Sequence, residues 1–282
     1  MRTIVFIILF GISNPVFADV QTDIEYARVG ELSLKLDLHT PTATNPPLLV
    51  YVHGGAWRAG SKSGVPIAKL LEHGFAIASV DYRLSTQAVF PAQIHDIKAA
   101  IRFLRANSQL YRVNTSRIGI VGSSAGGHLA ALAGVTNGQE ELEGKVGEHL
   151  SQSSDVQCIA SLFGASNLQS ILSQSTEFGL KMRVPAIQLL LGGQPNEKED
   201  LAKLASPVAH LDRNDPPLLL IHGDADPQMP PAQSQEFAKA YENQRLPVKL
   251  IVLPGGKHGG AEFYDAERTA ILAKFFHTNL NL

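Results

Sequence analysis

The sequence predicts an α/β fold with three layers, in which helices cover both faces of a mostly parallel sheet of eight strands. The first observation is a set of six apolar runs without polar alternation, which is typical of strands buried on both faces. The second is that helical patterns lie between the runs, where they can connect one parallel strand to the next. The third is a length of 282 residues that are 44% hydrophobic and 18% charged, which supports a large core. The runs cover residues 48–52, 75–80, 118–121, 156–163, 218–221 and 248–253.

The chain before the first run predicts two further strands, paired as an antiparallel hairpin. Leucines alternate with polar residues over residues 32–39, which predicts a strand with one face in solvent. Gly30 and Glu31 form a tight turn between this strand and residues 24–29. The hairpin brings the predicted number of strands to eight.

The clearest helix begins after Pro91, because Ile94, Ile97, Ile101 and Leu104 lie on one stripe at helical spacing. Further helices, each placed to cross over to the next strand, are predicted at residues 65–71, 125–135, 232–241 and 266–276.

Residues 165–205 interrupt the alternation of strands and helices. An insertion of about forty residues in an α/β domain is usually a lid or a binding excursion, and a plain surface decoration is the alternative. We therefore expect a cap or lid insertion within one domain that covers residues 19–282, because no internal repeat or second domain boundary is evident.

The first eighteen residues predict a cleaved signal peptide. Arg2 precedes an apolar run over residues 4–12, residues 13–15 break the helix, and Ala18 provides a small residue for cleavage. Nine apolar residues are too short to cross roughly 30 Å of hydrocarbon as a helix, so we expect no membrane anchor. The protein is therefore predicted to be periplasmic or secreted.

Charge and cysteine content exclude several classes of protein. The 24 basic and 26 acidic residues give a formal charge of -2 without long like-charge runs, so no basic patch for nucleic acid or for an anionic membrane surface is expected. Cys158 is the only cysteine and lies in an apolar run, which predicts a buried structural thiol and excludes an intrachain disulfide.

A short glycine-rich sequence predicts a nucleophile. Residues 122–126 read Gly-Ser-Ser-Ala-Gly between a buried strand and a helix, which is the G-x-S-x-G pattern in the context that a nucleophile elbow requires. In this register Ser124 is the nucleophile and Ser123 is not. A glycine-rich turn without a catalytic role is the alternative interpretation.

The end of the first buried run predicts half of an oxyanion hole. Backbone N–H groups of Gly55 and Ala56, together with that of Ala125 after the nucleophile, could stabilise a developing negative oxygen. Trp57 and Phe90 could form the wall of an acyl or aryl pocket, with ordinary core packing as an equal alternative.

Two later loops provide an acid and a base for this serine. His258 follows the strand at residues 248–253, and Asp226 follows the strand at residues 218–221. Asp224 lies closer to its strand end, where we expect it to bond backbone N–H groups instead. A metal site built from this acid loop is a minor alternative, since no further clustered ligand is evident.

Several short strings accompany these motifs. They are residues 53–57 (HGGAW), 81–84 (DYRL), 91–92 (PA), 96–100 (DIKAA), 122–128 (GSSAGGH), 206–207 (SP) and 222–226 (HGDAD). With them, the chain from about residue 29 to 280 resembles bacterial esterases and lipases of the α/β-hydrolase superfamily, especially the branch with feruloyl, acetylxylan and related carbohydrate esterases.

That resemblance implies the α/β-hydrolase fold, a triad of Ser124, Asp226 and His258, and no cofactor. The segment after the acid departs from the family pattern, because Met229 stands where a valine before the proline is more usual. Residues 165–205 match no family string, so the natural substrate is the least determined feature.

These observations predict a carboxylesterase, that is, a serine carboxylic-ester hydrolase that forms an acyl-enzyme on short-chain acyl, aryl or carbohydrate esters. The first alternative is an aryl formamidase-type amidase, since such enzymes share the elbow and the HGGxW string. The second is a binding module on an inactive hydrolase fold, which typically loses the serine or the histidine. The sequence predicts neither the acyl and alcohol groups of the ester nor the oligomeric state.

Overall fold

A single sheet of eight strands forms the centre of the computed structural model, which describes residues 19–281. The predicted signal peptide lies outside these residues. The strands run in the spatial order β1-β2-β4-β3-β5-β6-β7-β8. They are β1 Asp19–Val29, β2 Leu32–Thr40, β3 Pro47–Val52, β4 Ala76–Val80, β5 Asn114–Ser123, β6 Cys158–Leu162, β7 Leu218–Gly223 and β8 Val248–Leu253.

The predicted hairpin and the predicted parallel sheet are both confirmed. Strand β2 pairs antiparallel with β1 on one side and with β4 on the other. All remaining pairs, from β4 through β3 to β8, are parallel. The carboxyl ends of β3 and β5 to β8 therefore meet at one edge of the sheet.

Nine α-helices occur within residues 19–281. They are α1 Ala92–Ala106, α2 Ser108–Tyr111, α3 Ala125–Val135, α4 Glu140–Glu143, α5 Ile171–Gln174, α6 Glu177–Leu191, α7 Glu199–Leu204, α8 Ala232–Asn243 and α9 Ala266–Leu280. Short 3₁₀ helices cover Ala68–His73, Pro207–His210 and Ala261–Phe263.

The helix predicted at residues 65–71 is wrong in type and in position. The segment forms a 3₁₀ helix at Ala68–His73, and Gly74 ends it in the left-handed region with a φ of 85°. Pro66 precedes this helix and Gly74 follows it, which leaves too few residues between them for stable α-helical turns.

Both faces of the sheet are covered from β3 to β7, as the unbroken apolar runs predicted. Strand β8 differs from that prediction, because it lies at the edge of the sheet and five of its six residues are partly or fully exposed. On one face, Leu48 and Val50 of β3 join a buried cluster that includes residues of α1, α3 and α8. On the other face, Leu49 and Tyr51 join a cluster that includes residues of α9. Cys158 is buried, as predicted, and burial raises the pKa of its thiol to about 12.

The insertion at residues 165–205 contains the three helices α5, α6 and α7. Thr176 begins α6 by accepting a hydrogen bond from the N–H of Gly179 at 3.0 Å. The same hydroxyl donates to the carbonyl of Pro227 at 3.2 Å, so the insertion contacts the loop after β7. None of the helices between residues 19 and 281 is long and apolar enough to span a membrane.

Candidate active site

Ser124 lies at a sharp turn between β5 and α3. Its φ of 55° and ψ of -121° are rare for a residue with a side chain. A Cβ on Gly122 would lie 2.2 Å from the carbonyl oxygen of Gly126, and a Cβ on Gly126 would lie 2.0 Å from that of Val52. The turn therefore needs glycine at both positions of the G-x-S-x-G pattern, as the geometry of a nucleophile elbow requires.

Ser123 faces away from this turn. Its hydroxyl lies 3.1 Å from the hydroxyl of Tyr51, whose ring belongs to the buried cluster against α9. The register that favours Ser124 over Ser123 thus agrees with the direction of both side chains.

The structure brings Ser124, His258 and Asp226 together into one hydrogen-bonded chain. The hydroxyl of Ser124 lies 2.8 Å from Nε2 of His258. Nδ1 of His258 lies 2.7 Å from Oδ2 of Asp226, whose carboxylate is fully buried. A nucleophile, a base and an orienting acid need this connection, and 134 residues separate the first two along the chain.

Hydrogen bonds hold Asp226 in its ionised form. Burial acts to raise the pKa of its carboxyl group, but hydrogen bonds from His222 and His258 outweigh burial and hold the pKa well below its usual range. Oδ1 also accepts the backbone N–H groups of Gln228 and Met229 at 2.8 and 2.9 Å. Asp226 is therefore a fixed negative charge beside His258.

The neighbouring residues of the acid loop have supporting positions, as predicted. Nε2 of His222 donates to the carbonyl of Met229 at 3.1 Å and lies 3.3 Å from Oδ2 of Asp226, so His222 braces the acid. Asp224 points to the next loop, where its carboxylate accepts the N–H of Gly255 at 2.7 Å.

These contacts also bear on the metal alternative for this loop. Across residues 19–281, no group of three or more His, Cys, Asp or Glu side chains is placed to hold a metal ion. Asp224 is separated from the carboxylate of Asp226 by its bond to the adjacent loop.

The loop after β3 has an unusual backbone that runs beside Ser124. Gly55, Ala56 and Trp57 all have positive φ values, at 111°, 53° and 60°. A Cβ on Gly54 would lie 3.3 Å from Cβ of Ser124, which shows how closely the loop approaches. No acceptor within residues 19–281 bonds the N–H groups of Gly55, Ala56 or Ala125, so these donors are available to a ligand.

His53 orders this loop. Its Nδ1 donates to the carbonyl of Gly54 at 2.7 Å, and its ring stacks on Tyr82 at 4.4 Å between centroids. An ion pair lies nearby, where Arg83 donates through two nitrogens to the buried carboxylate of Asp96 at 2.7 and 2.8 Å.

The predicted pocket wall of Trp57 and Phe90 is corrected by the structure, which places both side chains in the core. Trp57 is 0% exposed and Phe90 is 1% exposed. The indole N–H donates to Nδ1 of His128 at 3.0 Å, and Nε2 of His128 donates to the carbonyl of Ala205 at 2.6 Å. The reason is that the insertion covers this region, since the N–H of Phe90 also donates to the carbonyl of Leu190 at 2.8 Å.

Two residues near the site escaped the sequence analysis as functional candidates. His128 could have been suspected from the string at residues 122–128, and burial lowers its pKa to about 4, so it stays neutral in this chain of hydrogen bonds. Arg183 gave no signal, because it lies in the insertion, where no motif distinguishes it.

The sheet, the elbow and the loops define the class of protein. Structural neighbours and topology identify an α/β-hydrolase fold, which confirms the predicted fold class. The chain belongs to the BD-FAE family, whose model matches residues 36–241.

Several proteins that are similar to this chain have names that describe them as esterases. Esterase LipC of Mycobacterium tuberculosis is 30% identical over 240 residues, which cover 83% of this chain and 58% of LipC. The structure of a truncated carbohydrate esterase from gut microbiota is 33% identical with a TM-score of 0.86, covering 96% of this chain and 99% of that one. A bifunctional GH43-CE structure from Bacteroides eggerthii is 36% identical with a TM-score of 0.83, covering 92% of this chain and 35% of that one. The chain therefore spans a little over half of the length of LipC.

Proposed function

We propose that the protein is a serine carboxylic-ester hydrolase that works through an acyl-enzyme. The observation that carries this proposal is the hydrogen-bonded chain from Ser124 through His258 to Asp226 at 2.8 and 2.7 Å. Membership of the BD-FAE family and relatives named as esterases support it.

The first half of the reaction transfers the acyl group to the protein. The hydroxyl oxygen of Ser124 attacks the ester carbonyl carbon while Nε2 of His258 takes its proton. Asp226 holds the imidazole in the correct tautomer and stabilises the imidazolium. His258 then protonates the alcohol oxygen as the bond to it breaks, which leaves an ester on Ser124.

The second half releases the acid. Water attacks the acyl-enzyme, His258 accepts one proton from that water, and the proton returns to the oxygen of Ser124 as the carboxylic acid leaves. The free N–H groups of Gly55, Ala56 and Ala125 are the proposed donors to the oxyanion in both halves. Removing one such donor costs roughly 3–4 kcal/mol in transition-state stabilisation in known hydrolases.

The substrate is proposed to be a small ester, with short acyl, aryl or carbohydrate parts. One supporting relative is named as a carbohydrate esterase and another simply as an esterase. None of these names favours the amidase alternative. The predicted signal peptide supports a periplasmic or secreted location for this activity.

The test is hydrolysis of a panel by purified wild-type protein and two serine variants. The panel contains p-nitrophenyl acetate and butyrate, acetylated and feruloylated sugars, and an N-formyl arylamide. We expect ester turnover by wild type and by Ser123→Ala, whose hydroxyl contacts Tyr51 and Tyr264, and a loss on the order of 10⁴ to 10⁶ in kcat for Ser124→Ala. Faster turnover of the formamide than of every ester would instead support the amidase.

A further inference from the structure

Arg183 on α6 is a buried cation without a hydrogen-bonding partner. Its side chain is among the fully buried ones of the protein, at 1% exposure. Nε and Nη1 have no hydrogen-bond partner within residues 19–281, and no carboxylate there lies within 4.0 Å of the guanidinium to form a salt bridge. Buried charges are normally paired, because an unpaired one loses its hydration without compensation.

The guanidinium lies near residues of the loops that carry the proposed chemistry. Its Cζ is 6.0 Å from the centroid of the Trp57 ring, and Trp57 directly follows the proposed oxyanion donors in the chain. Thr176, at the N-terminal end of the same helix, donates to the carbonyl of Pro227 in the acid loop. Burial acts to lower the pKa of Arg183 and the charge of Asp226 acts to raise it, so the two groups are close enough to interact.

Asp226 cannot serve as the missing partner of Arg183. Its Oδ1 accepts two backbone N–H groups, and its Oδ2 contacts His258 and His222. The oxygens of the Asp226 carboxylate are thus already occupied by hydrogen bonds and contacts within the candidate active site. The two buried nitrogens of Arg183 therefore have no acceptor among residues 19–281.

A second cation reinforces this positive region. Arg58 directly follows Trp57 and is half-buried, and its charge also acts on Arg183. Between residues 19 and 281 its side chain makes no hydrogen bond and no salt bridge. Arg183 and Arg58 therefore add two positive charges to a region whose interacting carboxylate, that of Asp226, already contacts His258 and His222.

We propose that Arg183, assisted by Arg58, binds a carboxylate on the substrate and makes the protein selective for esters whose acyl or alcohol part is anionic. The inference rests on the proposed function and names its substrate class. A planar guanidinium forms its strongest hydrogen bonds with carboxylates, and a low-dielectric setting strengthens them further.

The kinetic test compares esters that differ only in one charge. The first pair places the charge on the acyl group and consists of p-nitrophenyl hemisuccinate and its methyl ester. The second pair places the charge on the alcohol group and consists of the acetyl esters of m-hydroxybenzoate and of m-hydroxybenzamide. We expect wild type to favour the anionic member of one pair in kcat/KM, and Arg183→Gln to reduce this preference about tenfold or more. Arg58→Gln reduces it less, because its side chain keeps contact with solvent.

Lys181→Gln is the matched control, since it removes one positive charge from the exposed face of the same helix. We expect it to leave the preference within about twofold of wild type. Arg183→Lys keeps the positive charge and loses the planar guanidinium, so it should retain part of the preference for the anionic ester. This variant also allows the test to be made if Arg183→Gln does not fold. An unchanged preference in Arg183→Gln, or equal losses for the charged and neutral esters, contradicts the proposal.

A binding measurement separates this inference from the proposed function. In Ser124→Ala, which cannot form an acyl-enzyme, calorimetry should show p-nitrophenyl hemisuccinate binding more tightly than its methyl ester. Adding Arg183→Gln should remove that difference. If the wild-type protein hydrolysed no ester, the proposed function would fail, but the binding comparison would still test Arg183. Equal binding of both esters to Ser124→Ala would overturn the anionic substrate class and leave the proposed function standing.

Discussion

Asp224 and Asp226 follow the same strand and yet have carboxylates in different surroundings. Asp226 is buried against His258 at 2.7 Å, whereas Asp224 is exposed and fixes the neighbouring loop through the N–H of Gly255. Two positions along one loop thus separate an acid that acts on the proposed base from an acid that supports the turn.

This difference predicts opposite effects of the two amide variants. Asp226→Asn should lose on the order of 10⁴ in kcat, because an amide favours the wrong tautomer of His258. Asp224→Asn should keep most activity and lose mainly stability, since an amide oxygen accepts the Gly255 N–H more weakly than a carboxylate. Ester kinetics and thermal unfolding of both variants check this, and an inactive but stable Asp224→Asn beside an active Asp226→Asn would reverse the assignment.

The pH dependence of activity should follow the base and not the acid. The folded-state pKa of Asp226 is depressed, so its contribution to stability is complete above the unfolded value of about 3.9 and is lost only as pH falls through the lower folded value. We therefore expect Asp226 to stay ionised below the usual range of a carboxyl group, so that kcat/KM rises with pH in a single step set by the general base. A kinetic profile from pH 4 to 9 measures it, and a midpoint near 4 would indicate a carboxylate base instead.

Residue identities at the site were predictable where a local rule exists. The elbow register selected Ser124, and position relative to the strand ends selected Asp226 and His258. Trp57 was ambiguous, because a strand-end aromatic suits either a pocket or a core, and only the packing of the insertion decides. Arg183 was not predictable, since its burial results from contacts that no local pattern encodes.

Helices α1 and α4 are joined by a buried cluster of charges. Lys98 and Arg102 of α1 both pair with Glu143 of α4, at 2.6 and 3.0 Å. Ser154 donates to the same carboxylate at 2.7 and 2.8 Å. Both cations are buried, whereas the Glu143 side chain is a quarter exposed, so one carboxylate compensates two buried charges.

Glu143→Gln should therefore destabilise the fold more than an ordinary surface change. Removing one member of a buried charge pair costs roughly 3–5 kcal/mol, and partial exposure of Glu143 places the expected loss near the lower end. Glu140→Gln, on the exposed side of the same helix, should change the free energy of unfolding by less than about 0.5 kcal/mol. Urea unfolding measures both, and equal stability of the two variants would contradict the role assigned to the cluster.

The positions of most elements were predicted well from unbroken apolar runs and from helical spacing. Strands β3 to β8 each overlap one of the apolar runs, and the helix expected at residues 125–135 is Ala125–Val135 in the structure. The segment at Ala68–His73 differs because proline and glycine limit its length, which hydrophobic spacing does not report. The insertion helices were not located, since mixed patterns there reflect contacts with other parts of the protein.

At the scale of the whole molecule, the parallel pairing of the strands brings residues that are far apart in the sequence together in one site. The loops after β3, β5, β7 and β8 leave the same edge of the sheet, and they carry the proposed oxyanion donors, nucleophile, acid and base. This convergence was predictable, because parallel strands point their carboxyl ends the same way. The insertion then covers this edge and supplies Arg183, which links substrate choice to the least predictable part of the fold.

Covalent labelling with a fluorophosphonate, followed by peptide mass spectrometry, tests the proposed nucleophile most directly. The reagent traps an activated serine, so one phosphonyl group should be found on Ser124 in the wild-type protein and its attachment should be lost in His258→Ala. Both serines of the elbow lie in one peptide, so fragmentation between Ser123 and Ser124 locates the adduct. An adduct on Ser123, or labelling that is equally fast without His258, would contradict the account.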